Sequence, residues 1–120
     1  MSWASWTTLG VFAGRGGVRT EEEGILTGEL DVHTTWTEAE GLAHVTVQYS
    51  GGAHWLTLSG SPVACAGEEA SRAFHEAVVE AVRAGGPAVV PPWRGGGGGG
   101  GGPGGGAAGG AAAPPPARPP

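Results

Sequence analysis

The chain has 120 residues with six basic and eleven acidic side chains, a net charge of −5 at neutral pH. Two of the six arginines, Arg94 and Arg118, lie beyond the region able to fold, so the rest is more acidic still. That balance argues against a nucleic-acid surface, which needs clustered cations. A single cysteine, Cys65, excludes an intrachain disulfide and a cysteine-based zinc cluster. No apolar run reaches the length that spans a bilayer, so no membrane role is expected.

The N-terminal stretch MSWASWTTLGVFAG has neither a basic start nor a long apolar core, so it does not read as a signal peptide and a cytoplasmic location is expected. Within it, WTTLGVF at 6–12 reads as a strand, but nothing in the pattern places it in a sheet. GRGG at 14–17 lacks the strand and helix that flank a phosphate loop and reads as a turn.

Two segments resemble each other, TEEEGIL at 20–26 and TEAEGLA at 37–43. Each has a threonine, an acidic run, a glycine and then apolar residues. The pattern suits a type I turn closed by a left-handed glycine. A third turn is predicted at Gly51-Gly52, as a two-residue hairpin loop. The segments between are rich in Thr, Val and Trp, as strands are.

These turns set registers. A loop at 38–41 places Thr37 opposite Leu42, Trp36 opposite Ala43, Val32 opposite Val47 and Leu30 opposite Tyr49. A loop at Gly51-Gly52 places Tyr49 opposite His54, Val47 opposite Leu56 and Val45 opposite Leu58. Both hairpins choose the same apolar face, and a slip of one residue would invert it. The earlier segment breaks the alternation: Leu26 and Leu30 share a parity that turns Ile25 and Val18 the wrong way. A bulge at Gly28 would restore it.

EEASRAFHEAVVEAVRAGGP at 68–87 follows. Ala70, Phe74, Ala77, Val78, Ala81 and Val82 recur at helical spacing and form the face expected against the sheet. On this phase His75 points outward with Arg72 and Glu76. Glu68 and Glu69 suit the helix start, and Gly85, Gly86 and Pro87 end it. Cys65 lies just before the helix; the neighbouring glutamates oppose an activated thiol, and a structural role is expected. The predicted class is α+β: an antiparallel β-meander of four or five strands with one C-terminal helix packed on one face, spanning residues 1–90.

From Gly95 every residue is Gly, Ala or Pro except Arg118, and this stretch holds half of the 26 glycines. It lacks side chains that bury enough surface to offset ordering, so 91–120 is predicted to be a disordered tail. The lone arginine at its head does not make an RNA-binding segment. The Gly/Ala/Pro/Arg bias, with no lysine and no asparagine, is that of a high-GC genome such as an actinobacterial one.

The face of the sheet away from the helix carries the candidate site. Its rows across three strands read Asp31, Gln48, Trp55; then His33, Thr46, Thr57; then Thr35, His44, Ser59. The face is expected to be open and polar with one large aromatic, which suits a protein-binding or dimer surface. His33 and His44 are diagonal neighbours, about 7–8 Å apart, with Asp31 nearby. The three are too spread for a closed metal shell, so neither a metal nor any cofactor is expected. An Asp31–His33 base pair is disfavoured by the two-residue spacing, and no nucleophile is set by motif, so the enzyme reading is the weaker one. The adjacent His54 and Trp55 point to opposite faces. The preferred reading is therefore a non-catalytic binding or self-assembling module around Trp55, whose partner is another protein or a second copy. The alternative is a small-ligand pocket or enzyme on the helix side near Tyr49, His54 and Phe74.

Overall fold

A computed structural model describes residues 1–93; the predicted Gly/Ala/Pro tail lies outside the described residues, save for 91–93. The centre of the sheet is the hairpin Glu29–Thr37 and Leu42–Tyr49. Counting from the N-terminus, the strands are β1 (Trp3–Phe12), β2 (Val18–Thr20), β3 (Gly24–Leu26), β4 (Glu29–Thr37), β5 (Leu42–Tyr49), β6 (Leu56–Thr57) and β7 (Val63–Ala64). Among the described residues one helix, α1 (Glu68–Ala84), follows the strands. The main sheet has five antiparallel strands in the order β1-β4-β5-β6, with β7 pairing the far end of β5. The class is α+β, as the sequence implies.

The β4–β5 ladder runs without a shift from Leu30 opposite Tyr49 to Thr37 opposite Leu42. This is the register set by the turn at 38–41. Leu30, Val32, Trp36, Ala43, Val45 and Val47 are buried on one face, joined by Leu56 and Leu58. The second hairpin keeps its register at Val47–Leu56 and Thr46–Thr57. It opens beyond that pair, so the expected two-residue loop does not form. Residues 50–55 make a longer connection, started by a bond from the Gly52 N–H to the Tyr49 carbonyl (2.7 Å).

The two acidic turns are built alike. Gly24 and Gly41 take φ of 71° and 68°. In each turn the leading threonine's hydroxyl accepts a backbone N–H three residues on, Glu23 to Thr20 (3.2 Å) and Glu40 to Thr37 (3.4 Å). Short polar side chains favour such turns for this reason. The first turn joins β2 to β3, a separate two-stranded sheet. Gly28 therefore carries no bulge; it lies between β3 and β4, where the chain passes from one sheet to the other. Leu26 and Val18 are both buried, and Ile25 is exposed.

β1 lies beside β4 and forms one edge of the main sheet. Its pairing slips between Thr8 and Val11, where three steps along β1 match two along β4. The extra residue keeps Ala4, Trp6, Thr8 and Val11 on the helix side and turns Phe12 outward with Trp3, Ser5, Thr7 and Leu9. The following GRGG turn docks on the end of α1. The Gly14 N–H bonds to the Val82 carbonyl (2.9 Å), and a side chain at Gly14 would collide with backbone atoms of Arg83 and Ala84.

The helix covers the apolar face, but in a different phase from the one expected. Ser71, Phe74, His75, Val78, Val79 and Val82 are buried, while Ala70, Ala77 and Ala81 are only half-buried. His75 thus faces the sheet and not solvent. The physical reason is a set of polar groups on that sheet face. Trp6 Nε1 donates to Ser71 Oγ (2.9 Å), and the His75 ring bonds to the Thr8 hydroxyl through Nε2 and the Thr34 hydroxyl through Nδ1, both at 2.8 Å. Trp36 Nε1 donates to the Cys65 carbonyl (3.0 Å). Trp93 packs edge-on against Phe74 with ring centroids 5.3 Å apart, so the packed body runs through residue 93.

Candidate functional site

The face away from the helix is assembled largely as the register implies. Asp31 lies opposite Gln48, His33 opposite Thr46 and Thr46 opposite Thr57, with Thr35 opposite His44. Ser59 departs from its row. Its N–H bonds to the Arg19 carbonyl and its carbonyl accepts from Val90, so it has left the ladder (both 2.9 Å).

The surface differs from expectation in one main respect: it is polar but closed. Asp31, His33, His44, Thr46 and Gln48 are all buried, while Thr35, Trp55 and Thr57 are partly exposed. The side chains cover one another through hydrogen bonds. Asp31 Oδ1 accepts from the Gly10 N–H (3.0 Å) and the Ser50 hydroxyl (2.8 Å), and Oδ2 accepts from Gln48 Nε2 (3.0 Å). Burial alone would raise the Asp31 pKa; the bonds from Gly10, Gln48 and Ser50 outweigh it and hold the carboxyl below its ordinary 3.8. The Gly10 bond also ties the carboxylate to the irregular stretch of β1.

His33 is held between two threonines, Thr7 at Nδ1 (2.7 Å) and Thr35 at Nε2 (3.0 Å). Trp55 lies against its ring, with centroids 5.6 Å apart and planes tilted by 58°. Burial pushes the His33 pKa below 6.5, so the ring is neutral at neutral pH. A neutral ring donates through one nitrogen and accepts through the other, so one threonine hydroxyl accepts and its counterpart donates. His44 Nε2 meets Glu40 Oε1 at 2.9 Å across the turn. Glu22, from the β2–β3 turn, accepts from the Thr57 N–H and hydroxyl (both 2.7 Å). Thr46 Oγ1 and Gln48 Oε1 are buried without a hydrogen-bond partner among the described residues.

These contacts limit the chemistry. Both nitrogens of His33 are engaged by threonines, and all three bonds of Asp31 go elsewhere, so the two do not form an acid–base pair. Among the described residues no three His, Cys, Asp or Glu side chains are gathered as metal ligands would be. Cys65 is buried, which pushes its thiol up to about 11, far from nucleophilic at neutral pH.

The alternative site is not brought together. Tyr49 and His54 are both exposed at the open end of the second hairpin, whereas Phe74 is fully buried beneath the sheet. Tyr49 keeps its expected place opposite Leu30 but is half exposed, and the β5–β6 ladder ends at Val47–Leu56, so His54 is not set opposite it.

The feature that sequence reasoning missed is on β1. Trp3, Leu9 and Phe12 are 68, 70 and 68 % exposed, and all three project from the outer face. The signal was present in WASWTTLGVF, whose alternate residues Trp3, Ser5, Thr7 and Leu9 share a parity, but the strand's place in the sheet was not. No protein family, curated protein or solved structure matches this chain, so the site is argued from its own residues.

Proposed function

We propose that the protein is a non-catalytic binding module that engages another protein through the outer sheet face at its β1 edge. The observation that supports this reading is the row of Trp3, Leu9 and Phe12, each about two-thirds exposed. Scattered exposed apolar residues are ordinary, but a row of them on one strand costs solubility unless something covers it. The buried hydrogen bonds behind the row, made by Asp31, His33 and Gln48, support β4 and β5 as a rigid backing. Such backing favours binding because little ordering is left to be done on association. The centre of the surface thus moves from Trp55 to β1, while the face remains the one read from the register.

The test is the double variant Trp3→Ser/Leu9→Ser. Both side chains are largely solvated, so the thermal midpoint should stay within a few degrees of the parent. Association should be lost, whether with a second copy, read by sedimentation, or with other proteins, read by affinity capture. Undiminished association would overturn the proposal. So would a large fall in the midpoint, which would mark the two side chains as core.

A further inference from the structure

We infer that the partner of β1 is β1 of a second copy, paired antiparallel about a two-fold axis at Trp6. This rests on the reading of β1 as the binding edge.

The backbone decides which groups are free. The Glu38 N–H bonds to the Ser2 carbonyl (2.9 Å), so Ser2 and Glu38 form a hydrogen-bonded pair. Alternation along the ladder turns the amide groups of Ala4, Trp6 and Thr8 toward β4. Those of Trp3, Ser5 and Thr7 face outward, and among the described residues no strand lies on that side. Proteins blunt such edges with lysine, proline, short strands or bulges. β1 is ten residues long, carries no charge and no proline, and has its one irregularity only after Thr8.

The side chains decide the register. Pairing with β4 is regular from Trp3 to Thr8, with Leu9 next before the turn of the backbone at Gly10, and a two-fold axis at Trp6 pairs Trp3–Leu9 with itself. Trp3 then lies opposite the partner's Leu9, and Ser5 opposite the partner's Thr7. Apolar meets apolar and hydroxyl meets hydroxyl on the outer face. On the helix side the half-buried Trp6 meets the partner's Trp6. A shift by two residues in either direction breaks the match, setting Trp3 against Thr7 or Ser5 against Leu9.

Charge favours a second copy in this place. Residues 1–14 carry no charged side chain, whereas residues 15–93 hold four arginines against eleven acidic groups. Two copies repel over most of their surfaces and least along β1. Size sets the strength. Trp3 is a side chain of about 150–250 Å², and with Leu9 it falls short of the roughly 800 Å² per partner of a standard interface. An interface below the standard size is that of a weak, dissociable dimer.

The experiment uses the full chain with Ser5→Cys or Thr7→Cys. Both positions are exposed, and the native Cys65 is buried. Directly opposed residues in a hydrogen-bonded pair sit about 5.5 Å apart at Cα, within disulfide reach. Ser5 and the partner's Ser5 are offset by two residues and sit beyond about 7 Å, outside that reach. Mild oxidation of a mixture of the two variants should yield a mixed disulfide dimer several-fold above either variant alone. Sedimentation of the parent chain should show a monomer–dimer equilibrium that Trp3→Ser/Leu9→Ser abolishes. A dimer without the Ser5–Thr7 cross-link, or one that links best through Ser5 to Ser5, overturns the pairing. A parent that stays monomeric at every concentration overturns the choice of partner. In that case capture of other proteins, lost in Trp3→Ser/Leu9→Ser, would keep the binding reading, and its absence would sink both.

Discussion

Each face of the sheet buries a histidine between two threonines. On the helix side His75 lies between Thr8 and Thr34; on the outer side His33 lies between Thr7 and Thr35. Two consecutive threonines on β1 and two on β4 serve both rings, because successive strand residues point to opposite faces. The surroundings differ. His75 sits among Phe74, Val78 and the apolar sheet face, and burial, reinforced by the like charge of a protonated His33, lowers its pKa to about 4. His33 sits in a polar row under Trp55, and burial lowers its pKa as well. The same bonding motif thus serves as the polar element of an apolar core on one side and as one link of a polar network on the other. The comparison teaches that burial and polarity are separate properties of a sheet face.

The largest effect expected is on the apolar side. Phe74 is fully buried and packs against Trp93, so Phe74→Ala should cost about 3–5 kcal/mol in denaturant unfolding. A loss under about 1 kcal/mol would mean that the helix face is not the core.

Next is the pH dependence. Above about pH 6.5 His75 is neutral whether folded or unfolded, and its contribution to stability is complete. As pH falls from 6.5 toward 4, the unfolded chain takes up a proton that the folded core refuses, so stability falls. The gap is worth at most about 3 kcal/mol, all of it lost below about pH 4. His33 acts in the same direction, since its folded pKa is also lowered. Urea midpoints between pH 4.5 and 7.5 should rise with pH, and His75→Gln should flatten most of the slope. An unchanged slope would place the acid-sensitive group elsewhere.

Much of this was legible in the sequence, and the rest was not for identifiable reasons. The β4–β5 ladder could be read because a turn with a defined glycine fixed its register and both strands alternate cleanly. The helix phase could not be read from apolar residues alone. Alanines at 70, 77 and 81 look like a core stripe, but small side chains gain little from burial, whereas Ser71 and His75 found partners on the sheet. Thr34, whose parity sets it between Val32 and Trp36 on the inner face, was the available hint. The outer face has the composition its register implies but is closed where an open one is expected, because solvation of a polar face depends on whether its groups can satisfy one another. The place of β1 is not legible in the sequence because its slip after Thr8 breaks the alternation that would set its register.

On the outer face the carboxylate is the keystone. Asp31→Ala leaves Gly10, Gln48 and Ser50 without their acceptor and should cost about 1–3 kcal/mol. Asp31→Asn should cost less, because the Gln48 amide can rotate and use its unpaired oxygen to accept from the new amide. Equal losses in calorimetric unfolding would show that charge, and not acceptor geometry, holds the row.

The smallest effect expected is at Trp55, and it separates the network from the binding edge. Trp55 is half-buried, just before β6 in the chain, and its ring lies against His33 of β4. Trp55→Ser removes a cover and leaves the Thr7 and Thr35 bonds of His33 in place, so stability should fall by about 1 kcal/mol. Water then reaches the ring, and the His33 pKa, followed by proton NMR of the imidazole, should rise toward 6.5 because burial is the cause that lowers it. Association should be unchanged, since the proposed contact runs along Trp3–Leu9 and not along β6. Sedimentation and NMR on this one variant therefore test both halves of the reading. A raised His33 pKa with intact association assigns Trp55 to the network. Loss of association with an unmoved pKa would return the binding surface to Trp55 and take it away from β1.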